Sequence, residues 1–290
     1  MDDAFVIDKR QLRRAFGRAA RSYDAAAALQ REVGDRMLER LPLFRIEPQR
    51  VLDAGSGTGY AVPGLARRYP AATVIELDLA PEMLFAARAK ASRWRIWEGR
   101  RRAFVCGDIE RLPLQPSCVD LVWSNLALQW ATDLPRALDE FFRVLSPDGV
   151  VLFSAFGPDT LKELRAAFDA VDRSVHVNRF VDMHDIGDTL IGCGFSDPVM
   201  DMESFTLSYR NLTDLMRDLK ALGAHNVNHG RPRGLSGRGL FTGVAAEYER
   251  VRNAGGLPAT FEVVYGVAWK PRPRTGPGGR PVIDIRSRTA

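Results

Sequence analysis

The sequence predicts an α/β protein built on a mostly parallel sheet with helices on both faces. Three observations carry this. Short apolar runs of strand length alternate with amphipathic stretches of helix length between residues 51 and 153. A turn with glycines at alternate positions, Gly55, Gly57 and Gly59, joins the first of these runs to the helix after it. An acidic residue then closes each of the next two runs, Asp78 and Asp108. The 290 residues, 46% of them apolar, are enough for a large core, and no run reaches the roughly 18 apolar residues of a membrane span.

Residues 10–40 are rich in Ala, Arg and Leu, with Leu12, Phe16 and Ala20 at helical spacing. Pro42 and Pro48 bracket a linker into the buried strand Val51-Leu52. Strand 73–77 precedes a helix from Pro81 to Lys90, and strands Phe104-Val105 and 120–123 follow. Leu134 to Leu145 reads as a helix, Ser146-Pro147-Asp148-Gly149 as its closing turn, and 150–153 as a strand. Beyond Phe156, Asp159-Thr160 is placed to cap a helix over 161–171. Further helices are expected at 182–193 and 212–222, strands at 203–207 and 261–269, and a Gly-rich loop over 223–240. The organisation expected is an N-terminal helical segment, 1–45, capping a main domain, 46–270. Residues 160–240 supply helices and a lid, and 271–290 form a disordered basic tail.

The residues that carry chemistry cluster at the strand ends. Gly55, Gly57 and Gly59 let the chain turn with positive φ and let a ligand approach the amides, where a bare turn gains nothing from three glycines. A nicotinamide or flavin loop would place its third glycine one residue later. Asp53, just before the loop, repels a pyrophosphate but suits an ammonium group, as on the amino-acid tail of S-adenosylmethionine. Asp78, 19 residues past Gly59, is placed to accept ribose hydroxyls, with Glu76 pointing the same way. Asp108 is placed to accept an adenine amino group, or to end an exposed turn, and Ile109 to cover the ring.

These residues in this order resemble the class I, Rossmann-like, S-adenosylmethionine-dependent methyltransferases, with Ser56 where the loop commonly has Cys or Gly. Segments 16–24 with 29–30, 124–130, 157–164, 180–187, 222–226, 233–235 and 264–269 resemble one family within that class, the malonyl-acyl carrier protein O-methyltransferases of the biotin pathway. The resemblance implies an enzyme that methylates the free carboxyl of a malonyl thioester on carrier protein or coenzyme A. The product is the methyl ester that starts pimeloyl chain assembly. It also implies cofactor contacts from Asp53, Gly55, Ser56, Gly57, Gly59, Asp78, Leu79, Asp108, Ile109 and Asn125. Tyr23, Asn125 and Gln129 are expected at the methyl-transfer pocket, where Tyr23 either closes over the cofactor or packs on the sheet edge. Trp130 either walls this pocket or fills the core. Arg233 and Arg238 in the Gly-rich loop are candidates for the substrate carboxylate, against the alternative of a solvated loop.

The same fold carries an arginine-hydroxylating assembly factor, which stays open as an alternative, as does a nucleic-acid methyltransferase. Prolines after the fourth strand and a Pro-Cys nucleophile, which nucleobase chemistry uses, are both missing, so no nucleic acid is expected. Two basic clusters fit an acidic carrier, a nucleic acid or plain solvated surface: Arg10, Arg14, Arg18 and Arg21, and Arg93, Arg95 and 100–102 with Trp94 and Trp97. His225 and His229 are too poorly supported to read as metal ligands. Three cysteines without a CxxC pair, and no apolar leader, suggest a cytoplasmic home without membrane contact.

Overall fold

The structure, a computed structural model, describes residues 7–93, 102–172, 174–223 and 238–273. Seven strands form one sheet: β1 (Arg50–Ala54), β2 (Thr73–Asp78), β3 (Arg102–Cys106), β4 (Val119–Asn125), β5 (Leu145–Phe156), β6 (Ser196–Tyr209) and β7 (Leu257–Trp269). Their order is β3-β2-β1-β4-β5-β7-β6. The first five pair in parallel, and β7 joins β5 and β6 antiparallel. The chain reverses its direction of travel between β1 and β4. In open α/β sheets that switch point opens a crevice at the carboxyl ends of the strands.

Residue alternation sends each parallel strand into two cores. Val51, Leu121, Trp123, Val150 and Leu152 face one side, under α3 (Ala28–Arg40) and α4 (Val62–Arg68). Leu52, Val122, Val151 and Phe153 face the other, under α6 (Leu134–Val144) and α8 (Met183–Gly192). The N-terminal segment is helical as expected. α1 (Lys9–Ala19) is capped by the Asp8 carboxylate, which accepts from the amides of Arg10 and Gln11, and a short α2 (Tyr23–Ala26) links it to α3. α5 (Pro81–Arg93) follows β2.

Some expectations are corrected. Ser146–Gly149 is not a turn ahead of a strand but part of β5. The register to β4 shifts between Val119 and Leu121, and the extra residues are absorbed there. The end of β7 holds this bulge through main-chain bonds between Asp148 and Lys270 and between Lys270 and Gly149. The helix after β5, α7 (Lys162–Asp169), is not capped by Asp159-Thr160. The buried Thr160 hydroxyl donates to the carbonyl of Glu262, and Asp159 pairs with Lys162 at 2.8 Å. α9 (Leu212–Ala221) matches expectation. The Gly-rich region ends in a helix, α10 (Arg238–Glu249), rather than a loop to residue 240. Arg231, Arg233, His225 and His229 lie outside the described residues, as do Trp94, Trp97 and Arg95.

Candidate functional site

The turn after β1 folds over the tip of β2. The amides of Gly55 and Ser56 both donate to the carbonyl of Leu77, at 2.8 and 2.9 Å. Gly55 has φ +83°, and a Cβ there would lie 2.3 Å from that of Ala127, so only glycine fits. Gly57 donates its amide to Asp78 Oδ2 at 2.9 Å, while Asp78 Oδ1 accepts from Ala80 N at 2.8 Å. Gly59 has a different role from the one expected. Its α-carbon packs against Glu76, where a Cβ would meet Oε2 at 2.6 Å, and it does not line the cleft. Glu76 likewise lines neither cavity; it is fully buried and bonded to Arg102 Nε at 2.7 Å. Arg102 therefore belongs to this buried pair and not to a basic surface.

Two adjoining cavities flank the turn. The first is lined by Asp78, Leu79, Asp108 and Ile109 from the strand tips, and by Leu12 and Phe16 from α1. Asp108 also binds Lys9 Nζ at 2.9 Å, which ties α1 to the tip of β3. The second is lined by Asp53, Ser56, Gln30 and Arg31, and Tyr23 and Asn125 border both. Asp53 Oδ2, Ser56 Oγ and Gln30 Oε1 are buried there without any hydrogen-bond partner. Buried acceptors left unpaired are costly unless a ligand meets them. A carboxylate, a hydroxyl and an amide oxygen suit an ammonium group, with Asp78 and Asp108 in the adjoining cavity for ribose and adenine, so the residues present fit S-adenosylmethionine. Gln30 is not marked as a site residue in the sequence, because α3 brings it in from outside the strand–turn signal.

Burial, reinforced by Glu76 and Asp78, pushes the Asp53 carboxyl well above its usual range. Burial also raises Asp78, to about 6, despite its backbone hydrogen bonds. The Tyr23 hydroxyl is driven far above its ordinary value by burial and then by Asp78 and Asp24, so it stays neutral.

Two expected pocket residues are otherwise engaged. Asn125 lines the cleft, but its Nδ2 donates to the carbonyl of Gln30 at 2.8 Å and its Oδ1 accepts from Ser154. It positions α3 more than it presents a free polar group. Gln129 sits on the 3-10 turn Leu128–Trp130, folds back to donate to the carbonyl of Leu126 at 2.6 Å, and lines neither cavity. Trp130 does wall the cleft, edge-on to Phe16 with ring centroids 5.4 Å apart. On its far side is a third cavity, which Trp130 also lines. There His176 bonds to Asp172 at 2.6 Å and stacks on Phe168. The sequence had shown no histidine with such a partner.

A parallel sheet with this switch-point cleft, glycine turn and paired acids defines an S-adenosylmethionine-dependent methyltransferase. Residues 52–153 match the model of a methyltransferase domain family. A solved protein from Bacillus subtilis, YcgJ, shares the fold at a TM-score of 0.59 with 16% identity, over 82% of this chain and 99% of that one. So does phosphoethanolamine N-methyltransferase 2 of Haemonchus contortus, solved with S-adenosyl-L-methionine. Its TM-score is 0.50 at 18% identity, over 82% of this chain and 53% of that one. A malonyl-acyl-carrier protein O-methyltransferase of Gallionella capsiferriformans is 53% identical over 280 residues, covering 96% of this chain and 97% of the relative. The chain belongs to the malonyl-acyl-carrier protein O-methyltransferase family.

Proposed function

We propose that the protein transfers a methyl group from S-adenosylmethionine to the free carboxyl of a malonyl thioester. The observation that carries the chemistry is the trio of unpartnered buried acceptors, Asp53 Oδ2, Gln30 Oε1 and Ser56 Oγ, in the cavity adjoining the one that Asp78 lines. Similarity to relatives of that name over nearly their full length carries the substrate. The cofactor supplies the methyl on a sulfonium sulfur.

The chain's own residues do the rest. Asp53 and Gln30 hold the ammonium end, Asp78 the ribose, and Asp108 with Ile109 the adenine. Phe16, Tyr23 and Trp130 enclose the region between cofactor and substrate and exclude water, which strengthens alignment and desolvates the attacking carboxylate. A malonate carboxyl is already ionised near neutral pH, so the step needs no general base. His176 is thus not required to take a proton. Arg233 and Arg238 remain the proposed partners of the substrate carboxylate. The exposed Arg10, Arg14 and Arg18 lie four apart on α1 and the exposed Arg21 follows in the turn after it, a run of positive charge suited to an acidic carrier protein. The methyl ester would enter chain elongation toward biotin, in the cytoplasm. No described helix is long and apolar enough to cross a membrane.

Transfer of labelled methyl to malonyl but not acetyl thioesters tests this reading. With cofactor saturating at each pH, the single-turnover rate should be nearly flat from about pH 6 to 9, since the carboxylate is preformed. Equal labelling of the acetyl thioester, or a rate that drops steeply below about pH 7.5, would contradict it, the second by demanding a base.

A further inference from the structure

The largest of the three cavities lies beyond Trp130, on the side away from the glycine turn. α1 divides it from the cofactor cleft. Leu12 and Phe16 point into the cleft, while Ala15, Arg18 and Ala19 line the large cavity. Those two sets lie on different stripes of one helix, as a 3.6-residue repeat requires. Trp130 lines both spaces, so the two meet at its ring.

The large cavity measures about 940 Å³, near the upper end of the roughly 300–1,000 Å³ of sites for drug-sized ligands. A malonyl group is far smaller than that. Much of the wall is apolar, with Phe156 from the end of β5, Leu164 and Phe168 from α7, Met216 from α9 and Phe261 from β7. Three cations, Arg18 from α1 and Arg217 and Lys220 from α9, also line it, and all three are exposed. Arg217 is bonded to Asp214 at 2.6 Å. Arg18 and Lys220 have no carboxylate partner among the described residues. Arg18 also belongs to the run of positive charge through Arg10, Arg14 and Arg21, so the cavity opens where an acidic protein would dock.

We infer that this cavity takes the phosphopantetheine arm of the thioester, with Arg18 and Lys220 receiving its phosphate and the apolar walls guiding the chain to Trp130. The inference rests on the proposed methylation of a malonyl thioester and adds to it how that substrate is held. A largely apolar cavity bordered by exposed cations suits a slender amide chain that carries one phosphate far from its reacting acid. A positively charged rim also favours holding the phosphate at the surface while the thioester end reaches inward.

The test compares malonyl-phosphopantetheine with malonyl-pantetheine, which lacks the phosphate. Both are run on the full-length protein, its Arg18→Ala and Lys220→Ala variants and the double variant, with cofactor affinity measured throughout as a check on folding. The native protein should show a KM about tenfold lower for the phosphorylated thioester, and the double variant should reduce that ratio to about one or two. Met216→Trp, which fills the cavity, should raise KM for both thioesters while cofactor affinity holds. A ratio near one in the native protein, or one that survives in the double variant, overturns the inference while leaving methylation intact. Parallel assays with malonyl-carrier protein and malonyl-coenzyme A should show the same loss. A loss confined to coenzyme A overturns the inference by placing the two cations on its nucleotide. Failure to methylate any malonyl thioester overturns the underlying function, and the inference with it.

Discussion

Asp78 and Gly57 are joined by a 2.9 Å hydrogen bond from the glycine amide to the aspartate Oδ2, across the gap between the tips of β2 and β1. One carboxylate thus shapes the turn and also faces the cleft. Its four lone-pair sites leave room for ribose hydroxyls after the bonds to Gly57 and Ala80 are made.

Asp78→Asn should therefore separate binding from folding. Asparagine keeps one acceptor and loses the other, at a cost of about 1–3 kcal/mol, while removing a buried charge that the fold carries at a similar penalty. Unfolding stability at neutral pH should change by no more than about 1 kcal/mol, and cofactor affinity should fall about tenfold or more. Calorimetric titration alongside urea unfolding measures both. Unaltered affinity would remove Asp78 from the cofactor site.

The raised pKa of Asp78 links protons to both folding and binding. The folded value of about 6 lies above the ordinary 3.8. The cofactor-free fold therefore has its full relative stability below about pH 4 and loses roughly 3 kcal/mol as pH rises through about 6. Cofactor binding has the opposite preference, because ribose hydroxyls and an ammonium group favour ionised Asp78 and Asp53. Affinity should weaken as pH falls from about 7 to 5, with proton release on binding near pH 6, visible in buffers of differing ionisation enthalpy. A dissociation constant independent of pH over that range would contradict this assignment.

Arg102 tests the buried support of the turn. Its guanidinium meets Glu76 Oε1 at 2.6 and 2.7 Å, and the Glu76 side chain has no solvent exposure. Burial raises the Glu76 pKa even with Arg102 beside it. Arg102→Ala leaves that acid unpaired and should destabilise the protein by about 3–5 kcal/mol, with Glu76→Gln in the same background recovering part of the loss. A loss under about 1 kcal/mol would mean that water or another group already neutralises Glu76.

How legible the site was depended on how far along the chain its parts lie. The glycine turn and the acids Asp53, Asp78 and Asp108 are local signals at the ends of apolar runs, and the fold brings all three to one crevice. Trp130 as a wall also follows from its place just past β4. Gln129, its neighbour, does not line the cleft, because the 3-10 turn at 128–130 rotates its side chain back onto Leu126. The bond from Lys9 to Asp108 spans 99 residues, and Asn125 reaches Gln30 across 95, so neither leaves a trace in spacing. Glu76 shares its strand face with Asp78, yet Arg102 from the next strand claims it. Burial of the Arg102 pair likewise could not be told from a surface run of arginines.

Docking of the carrier should be electrostatic. Arg14 and Arg21 are exposed within the N-terminal run of positive charge and line none of the three cavities. Arg14→Glu with Arg21→Glu should raise KM for malonyl-carrier protein several-fold at low salt and much less for malonyl-coenzyme A, which has no protein surface. Salt should raise the carrier KM more steeply than that of coenzyme A. Equal salt slopes for the two substrates would exclude docking on this run.

The most direct measurement is intact-mass spectrometry of malonyl-acyl carrier protein after incubation with the protein and S-adenosylmethionine. The account requires the malonyl thioester to gain one methyl group, removable by ester hydrolysis, with no change in acetyl-carrier protein run beside it. A malonyl-carrier mass that stays constant while the protein demonstrably binds cofactor would contradict the central claim, as would an added oxygen on a protein arginine in place of the methyl.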